Sequence, residues 1–141
     1  MINRAELLES YAENHVIHRR LFDAEWNRQN TTGLTYSQKS ILILLNREGP
    51  KQSKHFVTEL SITSGGITGI TDKLLKEGYI QRSYDVTRDR RAVVYEITES
   101  GRSILKELEM VYEKVLTTVF AAISDAEVAM LEHIYRKLTV N

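Results

Sequence analysis

Apolar side chains recur three, four and seven residues apart along most of this chain, which is the spacing of one helix face. One proline and seven glycines are the only strong helix breakers, so long helices are expected. Six helices are predicted, over Arg4–Arg28, 35–49, about Ser53–Leu60, Ser64–Glu77, Glu99–Ile123 and Asp125–Val140. The pattern therefore predicts a mainly helical protein.

Local signals define several of the helix ends. Thr35-Tyr36-Ser37-Gln38 and Ser124-Asp125-Ala126-Glu127 both have the pattern of a capping box, in which two side chains satisfy helix-start amides. Gly49-Pro50 cannot continue a helix, and Gly78 is a typical residue just past a helix end. Thr98 is the expected N-cap of the long helix that follows.

Two short segments have the composition of strands. Tyr79–Tyr84 and Ala92–Ile97 are rich in aromatic and β-branched residues, and a charged turn separates them. Three short helices followed by such a hairpin form a winged helix-turn-helix. Because an isolated hairpin is marginally stable in water, it must pack against the helices. We expect one domain over 1–141, with a winged helix-turn-helix at 34–101 and helical regions at 1–33 and 102–141.

Composition narrows the possible functions of the 141 residues. The chain has no cysteine, which excludes a disulfide framework, a thiol nucleophile and a thiolate metal site. Its longest apolar runs are five residues long, and its start turns acidic at once, so neither a membrane span nor a secretory signal is expected. No catalytic constellation, phosphate loop or cofactor motif is present, so we expect a cytoplasmic protein that is not an enzyme.

A glycine-rich helix start suggests contact with nucleic acid. Small side chains and free amides at a helix start allow close approach to phosphate or to the major-groove floor. Thr68 and Thr71 could donate to phosphate or contact base edges, and Lys73 could pair with phosphate. The candidate DNA-binding residues of this helix are Ser64, Gly65, Gly66, Thr68, Thr71 and Lys73. The alternative interpretation is that the two glycines only permit tight helix packing.

The turn between the predicted strands carries Arg88, Asp89, Arg90 and Arg91. Like charges repel at this spacing, but the negative potential of a narrow minor groove attracts arginine. The alternative is a surface cluster that Asp85 and Asp89 neutralise.

Two blocks of sequence resemble the MarR (multiple antibiotic resistance regulator) family of bacterial transcription factors, within residues 34–101. The first block is Thr63-Ser64-Gly65-Gly66-Ile67-Thr68 with Asp72-Lys73-Leu74 and 77–82; the second is Asp85, Asp89-Arg90-Arg91 and Ile97-Thr98-Glu99-Ser100-Gly101. The resemblance implies that Arg91 enters a minor groove, that Asp89 shapes the wing tip, and that Arg88 and Arg90 contact flanking phosphates. Gly69 departs from the basic or long polar residue that many members carry, so base reading there is not expected.

The resemblance also implies a homodimer built by the outer helices, which bear more apolar surface than a small winged domain can cover. Such a dimer would be a repressor of a pseudo-palindromic operator in double-stranded DNA, released by a small aromatic effector. Candidate effector-pocket residues are Tyr11, His15, Phe22, Trp26, Tyr36 and Tyr112, for which core or dimer packing is the alternative.

Two other functions remain open. His15 and His18 could share a helix face and bind a metal with Glu13 or His133, which would make a metal-responsive regulator of the same fold; the sequence supplies no clear third ligand, so no metal site is predicted. A winged-helix protein-interaction module without DNA binding is the other alternative.

Charge appears at first to argue against DNA, because 19 basic and 19 acidic residues cancel. Residues 1–50 carry no net charge, 51–103 carry +2 and 104–141 carry −2. Residues 73–91 alone carry +3, which a dimer would present twice. The zero is thus an average of a basic winged region and an acidic C-terminal region, and it predicts modest non-specific DNA affinity.

Overall fold

The computed structural model describes residues 1, 3–84 and 92–140. Its elements are α1 (Arg4–Gln29), α2 (Tyr36–Glu48), α3 (Ser53–Leu60), α4 (Ile67–Lys76), β1 (Ile80–Tyr84), β2 (Val93–Ile97), α5 (Glu99–Val119) and α6 (Asp125–Thr139). The chain forms two compact units, a helical unit of 1–29 and 111–141 and a winged unit of 30–110. The mainly helical fold with a two-stranded wing is confirmed.

Both predicted capping boxes are present. In the first, the Gln38 amide N–H donates to Thr35 Oγ1 (3.2 Å) and the Thr35 amide N–H donates to Gln38 Oε1 (2.8 Å). In the second, Ser124 and Glu127 exchange the equivalent bonds, at 3.2 and 2.9 Å. The Ser124 backbone N–H donates to the Glu127 carboxylate and lowers its pKa. These boxes explain why α2 and α6 begin where the sequence indicated.

Two predicted helix bounds were wrong. The fourth helix begins at Ile67 instead of Ser64, because residues 64–66 form a turn in which two glycines disfavour helix. The long helix ends at Val119 instead of Ile123, and i→i+3 bonds such as Ile123 N–H to the Phe120 oxygen (3.3 Å) close its last turn. The extended backbone of the Ser124 N-cap requires the helix to stop before it.

The core of the winged unit is where α2, α3 and α4 pack together beside the hairpin. Leu42, Phe56 and Leu74 are fully buried there, and the buried Ile80 brings the start of β1 into the same core. Burying each such side chain stabilises the fold by roughly 2 kcal/mol. This packing holds α4 with its other face exposed.

The hairpin is antiparallel, with Ile80 opposite Ile97 and Tyr84 opposite Val93. A third backbone segment extends it, since the Lys51 amide N–H donates to the Tyr95 oxygen (3.0 Å) and the Tyr95 N–H donates to the Lys51 oxygen (2.8 Å). The hairpin also packs against helices, with β2 beside α2 and β1 beside α4, which confirms the prediction that it rests on them. The sequence pattern did not reveal this pairing at Lys51.

The helical unit leaves many apolar side chains exposed. On α1 they include Leu7, Leu8, Val16, Ile17 and Leu21, and on α6 they include Val128, Met130, Ile134, Tyr135 and Leu138. None of the helices in the described part of the chain has an apolar stretch that could span a lipid bilayer.

Candidate nucleic-acid interface

The turn before α4 is organised by Thr63. The Gly66 amide N–H donates to both the Thr63 hydroxyl and the Thr63 carbonyl oxygen, each at 3.1 Å. Ser64 and Gly65 are exposed beside it, whereas the Gly66 amide already has internal partners. The exposed surface at this end of α4 therefore includes Ser64, Gly65 and Thr68, whereas the amide of Gly66 is used within the turn.

Thr71 does not face solvent. Its side chain is buried, and its hydroxyl donates to the Ile67 carbonyl (2.9 Å) and the Thr68 carbonyl (3.2 Å) within α4. The prediction that Thr71 contacts DNA was wrong, because helix periodicity places this position on the side of α4 that packs into the core. The sequence signal for this was its spacing of three from Leu74.

Lys73 is exposed on α4, as predicted, but its ammonium has a partner within the protein. The Nζ atom donates to the Gly33 carbonyl oxygen at 2.6 Å, in the segment that leads into α2. Lys76 is also exposed, three residues further along the same helix. The two lysines of α4 therefore differ in their surroundings.

The wing candidates Arg88, Asp89, Arg90 and Arg91 lie outside the described residues. The strands that lead to them are described, and Arg82 on β1 is exposed with its guanidinium carbon 5.9 Å from the centroid of the Tyr95 ring. Sequence reasoning did not single out Arg82, although an exposed arginine on a wing strand fits phosphate contact.

The base of the wing is joined to the exit of α4. Thr98 Oγ1 donates to the Gly78 carbonyl at 2.6 Å, Ser100 Oγ donates to the same oxygen at 2.9 Å, and the Thr98 amide N–H donates to the Tyr79 carbonyl at 3.1 Å. The Gly101 amide N–H in turn donates to Thr98 Oγ1 (3.1 Å), which confirms Thr98 as the N-cap of α5.

Gly101 is required by this arrangement. A Cβ atom there would overlap the Tyr79 carbonyl oxygen and lie 2.7 Å from Ile97 Cγ1. The Thr-Glu-Ser-Gly sequence at 98–101 is therefore a positioning motif, which fixes the wing base against the end of α4.

Two of the six candidate effector residues, Tyr11 and His15, line a groove of about 710 Å³ in the helical unit. Sequence reasoning missed most of the remaining wall, which is formed by Asn14, His18, Leu116, Thr117, Phe120, Val128, Leu131, Glu132 and Tyr135. The Tyr11 and Tyr135 hydroxyls are 3.3 Å apart, and this hydrogen bond is the main cause of a raised pKa at Tyr135. The His18 ring lies edge-on to Phe120, with centroids 5.0 Å apart.

The other four candidates do not line this groove. Phe22 and Tyr112 pack edge to face with ring centroids 5.7 Å apart, and Trp26 is buried. Tyr36 belongs to the winged unit, where the Lys39 Nζ lies 5.5 Å from its ring centroid. Burial lowers the pKa of Lys39, and the Glu109 carboxylate partly opposes that shift.

His15 and His18 both border the groove, as their spacing on α1 suggests. Across the described ranges, no three His, Asp or Glu side chains cluster closely enough to hold a metal ion. The geometry thus places these histidines among the polar groups of the groove, together with Asn14, Glu132 and the two tyrosine hydroxyls.

Comparison with known proteins supports the interpretation of the winged unit as a DNA-binding region. The MarR family model matches residues 34–93. The HTH-type transcriptional regulator YpoP of Bacillus subtilis is 30% identical over 105 residues, which are 74% of each chain.

Solved structures share the fold. BpsR of Bordetella bronchiseptica, whose DNA binding is regulated by 6-hydroxynicotinic acid, has a TM-score of 0.80 at 20% identity, over 93% of this chain and 99% of its own. A MarR variant of Escherichia coli in complex with operator DNA has a TM-score of 0.81 at 18% identity, over 99% of this chain and 100% of its own.

The family match, the relative and the winged fold agree with the exposed face of α4 and with the wing that follows it. Proteins of this kind regulate transcription by binding DNA and are not enzymes. The chain belongs to the MarR family of winged helix-turn-helix transcriptional regulators.

Proposed function

We propose that this regulator is a cytoplasmic homodimeric repressor that binds a pseudo-palindromic operator and leaves it when a small aromatic effector binds. The single observation that carries the DNA part is the exposed start of α4, with Ser64, Gly65 and Thr68 at the surface. A MarR structure of the same fold holds operator DNA. This proposal assigns the major groove to α4 and the minor groove to the wing.

Dimer formation is supported by the helical unit. Met130, Ile134 and Leu138 recur every four residues on α6 and are all exposed, which gives that helix an apolar stripe facing solvent. Ile17 and Leu21 form a similar exposed pair on α1. A two-fold dimer through these helices would place two α4 helices about 34–36 Å apart, one DNA turn, and this spacing requires an operator with two related halves.

The operator is tested first with the purified chain and a random DNA library. We expect the selected fragments to contain two inverted half-sites, and gel-shift affinity to fall steeply between 50 and 200 mM salt, as phosphate contacts require. Failure to enrich any sequence would favour the protein-interaction module.

Arg91→Ala then tests the wing. We expect an affinity loss of about tenfold or more, because an arginine in a narrow minor groove gains from concentrated negative potential. Arg47→Ala is the control, since Arg47 is an exposed arginine at the end of α2 that pairs with Glu48. The dimer should persist in both variants, and an unchanged affinity of the Arg91 variant would remove the wing from the interface.

For the effector we propose the groove of the helical unit. Its volume lies in the range of small-ligand sites, its floor of Leu116, Phe120 and Leu131 is apolar, and Tyr11, His15 and Tyr135 supply hydrogen-bonding groups at its edge. An aromatic ring with a hydroxyl or carboxylate substituent matches that combination. BpsR, whose DNA binding responds to such a compound, shares the fold.

A substitution that fills the groove tests whether the effector binds there. For Leu131→Trp we expect operator affinity close to that of the wild type. We also expect that 6-hydroxynicotinate or benzoate at millimolar concentration no longer releases DNA, because the indole occupies the volume that the ligand needs. Ala129→Trp, at an exposed position that does not line the groove, should respond as the wild type does. Equal release from both variants would place the effector elsewhere, and loss of the Leu131 variant's dimer would mean that a second copy covers the groove.

A further inference from the structure

Two hydrogen bonds tie the recognition helix α4 to the segment that enters α2. Gln38 Nε2 donates to the Ile70 carbonyl oxygen at 3.4 Å, and Lys73 Nζ donates to the Gly33 carbonyl oxygen at 2.6 Å. Ile70 and Lys73 are about one helical turn apart, so the two bonds hold successive turns of α4. Their partners, the Gln38 amide and the Gly33 carbonyl, both lie within residues Gly33–Gln38, which we call the support segment.

The support segment is itself held in place by hydrogen bonds. Asn30 Nδ2 donates to the Leu34 carbonyl at 2.6 Å, the Thr32 hydroxyl donates to Asn30 Oδ1 at 2.7 Å, and the Leu34 amide N–H donates to Thr32 Oγ1 at 3.1 Å. Leu34 is buried, and the capping box at Thr35 completes the segment. A lysine bound to such a segment is fixed relative to the core of the winged unit.

Glycine is required where the lysine is bound. Gly33 has φ of +76°, a region that other residues rarely adopt, and a Cβ atom there would lie 3.4 Å from Lys73 Nζ. The positive φ, and not a lack of space, is therefore what favours glycine at the carbonyl that Lys73 contacts. Gln38 is 4% exposed, so its amide has no alternative partner in bulk water and the bond to α4 satisfies part of its hydrogen-bonding capacity.

We infer that Lys73 acts in DNA recognition as a positioning residue: together with Gln38 it sets the placement of α4 on the support segment, instead of serving as a phosphate ligand. This rests on the proposed operator binding by α4. Holding an otherwise free lysine side chain in one place costs conformational entropy, which a short charge-assisted hydrogen bond of 2.6 Å opposes. The same bond uses one of the three ammonium donors and directs it into the protein.

Lys76 provides a matched control. It is exposed on the same helix, and within the described ranges it makes no hydrogen bond or ion pair. Lys76→Met therefore removes one positive charge from α4 and leaves both bonds to the support segment. Lys73→Met removes one charge and one bond, and Lys73→Arg keeps a cationic donor of similar reach.

The experiment measures operator affinity of the three variants and the wild-type dimer at four salt concentrations, together with amide hydrogen exchange of the free proteins. We expect Lys73→Met to lose about tenfold more affinity than Lys76→Met at every salt concentration, and to keep the wild-type slope of log K on log salt. We also expect Lys73→Arg to recover most of the loss. In the free protein, exchange in residues 33–38 and in the first turns of α4 should rise in Lys73→Met and stay near wild type in the other two.

Two results would overturn the inference. One is a slope for Lys73→Met that is shallower than the wild-type slope by about 0.9, the change expected for one lost phosphate contact, which would mark Lys73 as a phosphate ligand. The other is unchanged hydrogen exchange in Lys73→Met. Because exchange is read without DNA, a wild-type protein that fails to bind any operator would defeat the proposed function while leaving the placement of α4 by Lys73 separately measurable.

Discussion

Gly101→Ala is expected to destabilise the protein by about 3 kcal/mol, because the added methyl group would overlap the Tyr79 carbonyl oxygen and crowd Ile97. Backbone is on the other side of the contact, so no side-chain rotation relieves it. To make room, the start of α5 has to move from the end of α4, which strains the bonds that Thr98 and Ser100 donate to the Gly78 carbonyl.

Gly69→Ala is the matched control for this substitution. Gly69 lies inside α4, it is exposed, and a Cβ atom there would meet nothing within 4 Å. Alanine is favoured over glycine in a helix interior by about 1 kcal/mol, so this variant should be more stable than the wild type. Urea unfolding followed by circular dichroism measures both changes. A Gly101 variant with wild-type stability would show that the wing base is not packed as described.

Ile134→Glu is expected to convert the proposed dimer to a monomer and to lower operator affinity by at least about a hundredfold. A charge at the middle of the apolar stripe Met130, Ile134 and Leu138 would be buried without a partner in the proposed interface. Two half-sites bound by one rigid dimer gain from effective concentration, and a monomer loses that gain. Sedimentation equilibrium and gel-shift titration of the same preparation measure the two effects.

His133→Glu is the control for the charge itself, since His133 is exposed on α6 next to Ile134 but outside its stripe of every fourth residue. We expect this variant to remain a dimer and to bind the operator. If Ile134→Glu also sediments as a dimer, the α6 stripe is not the interface, and the exposed residues of α1 become the surface to test.

Features set by neighbouring residues were predictable. The capping boxes at Thr35 and Ser124, the stop at Gly49 and the N-cap at Thr98 all depend on groups within four residues of each other. The helix and strand types follow from apolar periodicity, which is also local. At 63–66, the Thr63 hydroxyl and two glycines favour a turn over a helix, and the apolar pattern alone predicted the start of α4 three residues too early.

Features set by packing were not predictable. The Lys73 ammonium bonds to the Gly33 carbonyl, 40 residues earlier in the chain. Lys51 pairs with Tyr95, and Tyr11 pairs with Tyr135. Each of these contacts joins elements that are distant in sequence, so no spacing along the chain reports them.

By itself, the sequence determined the class of this protein, because helix periodicity, capping, turn residues and the two motif blocks are short-range properties that identify a MarR-type winged helix. Tertiary structure alone decided that Lys73 of α4 bonds to Gly33, how the wing base is attached at Gly78 and Gly101, and which side chains share the groove of the helical unit. The physical reason is that burial and long-range hydrogen bonds depend on which elements lie next to each other, and this is determined by how their apolar faces pack.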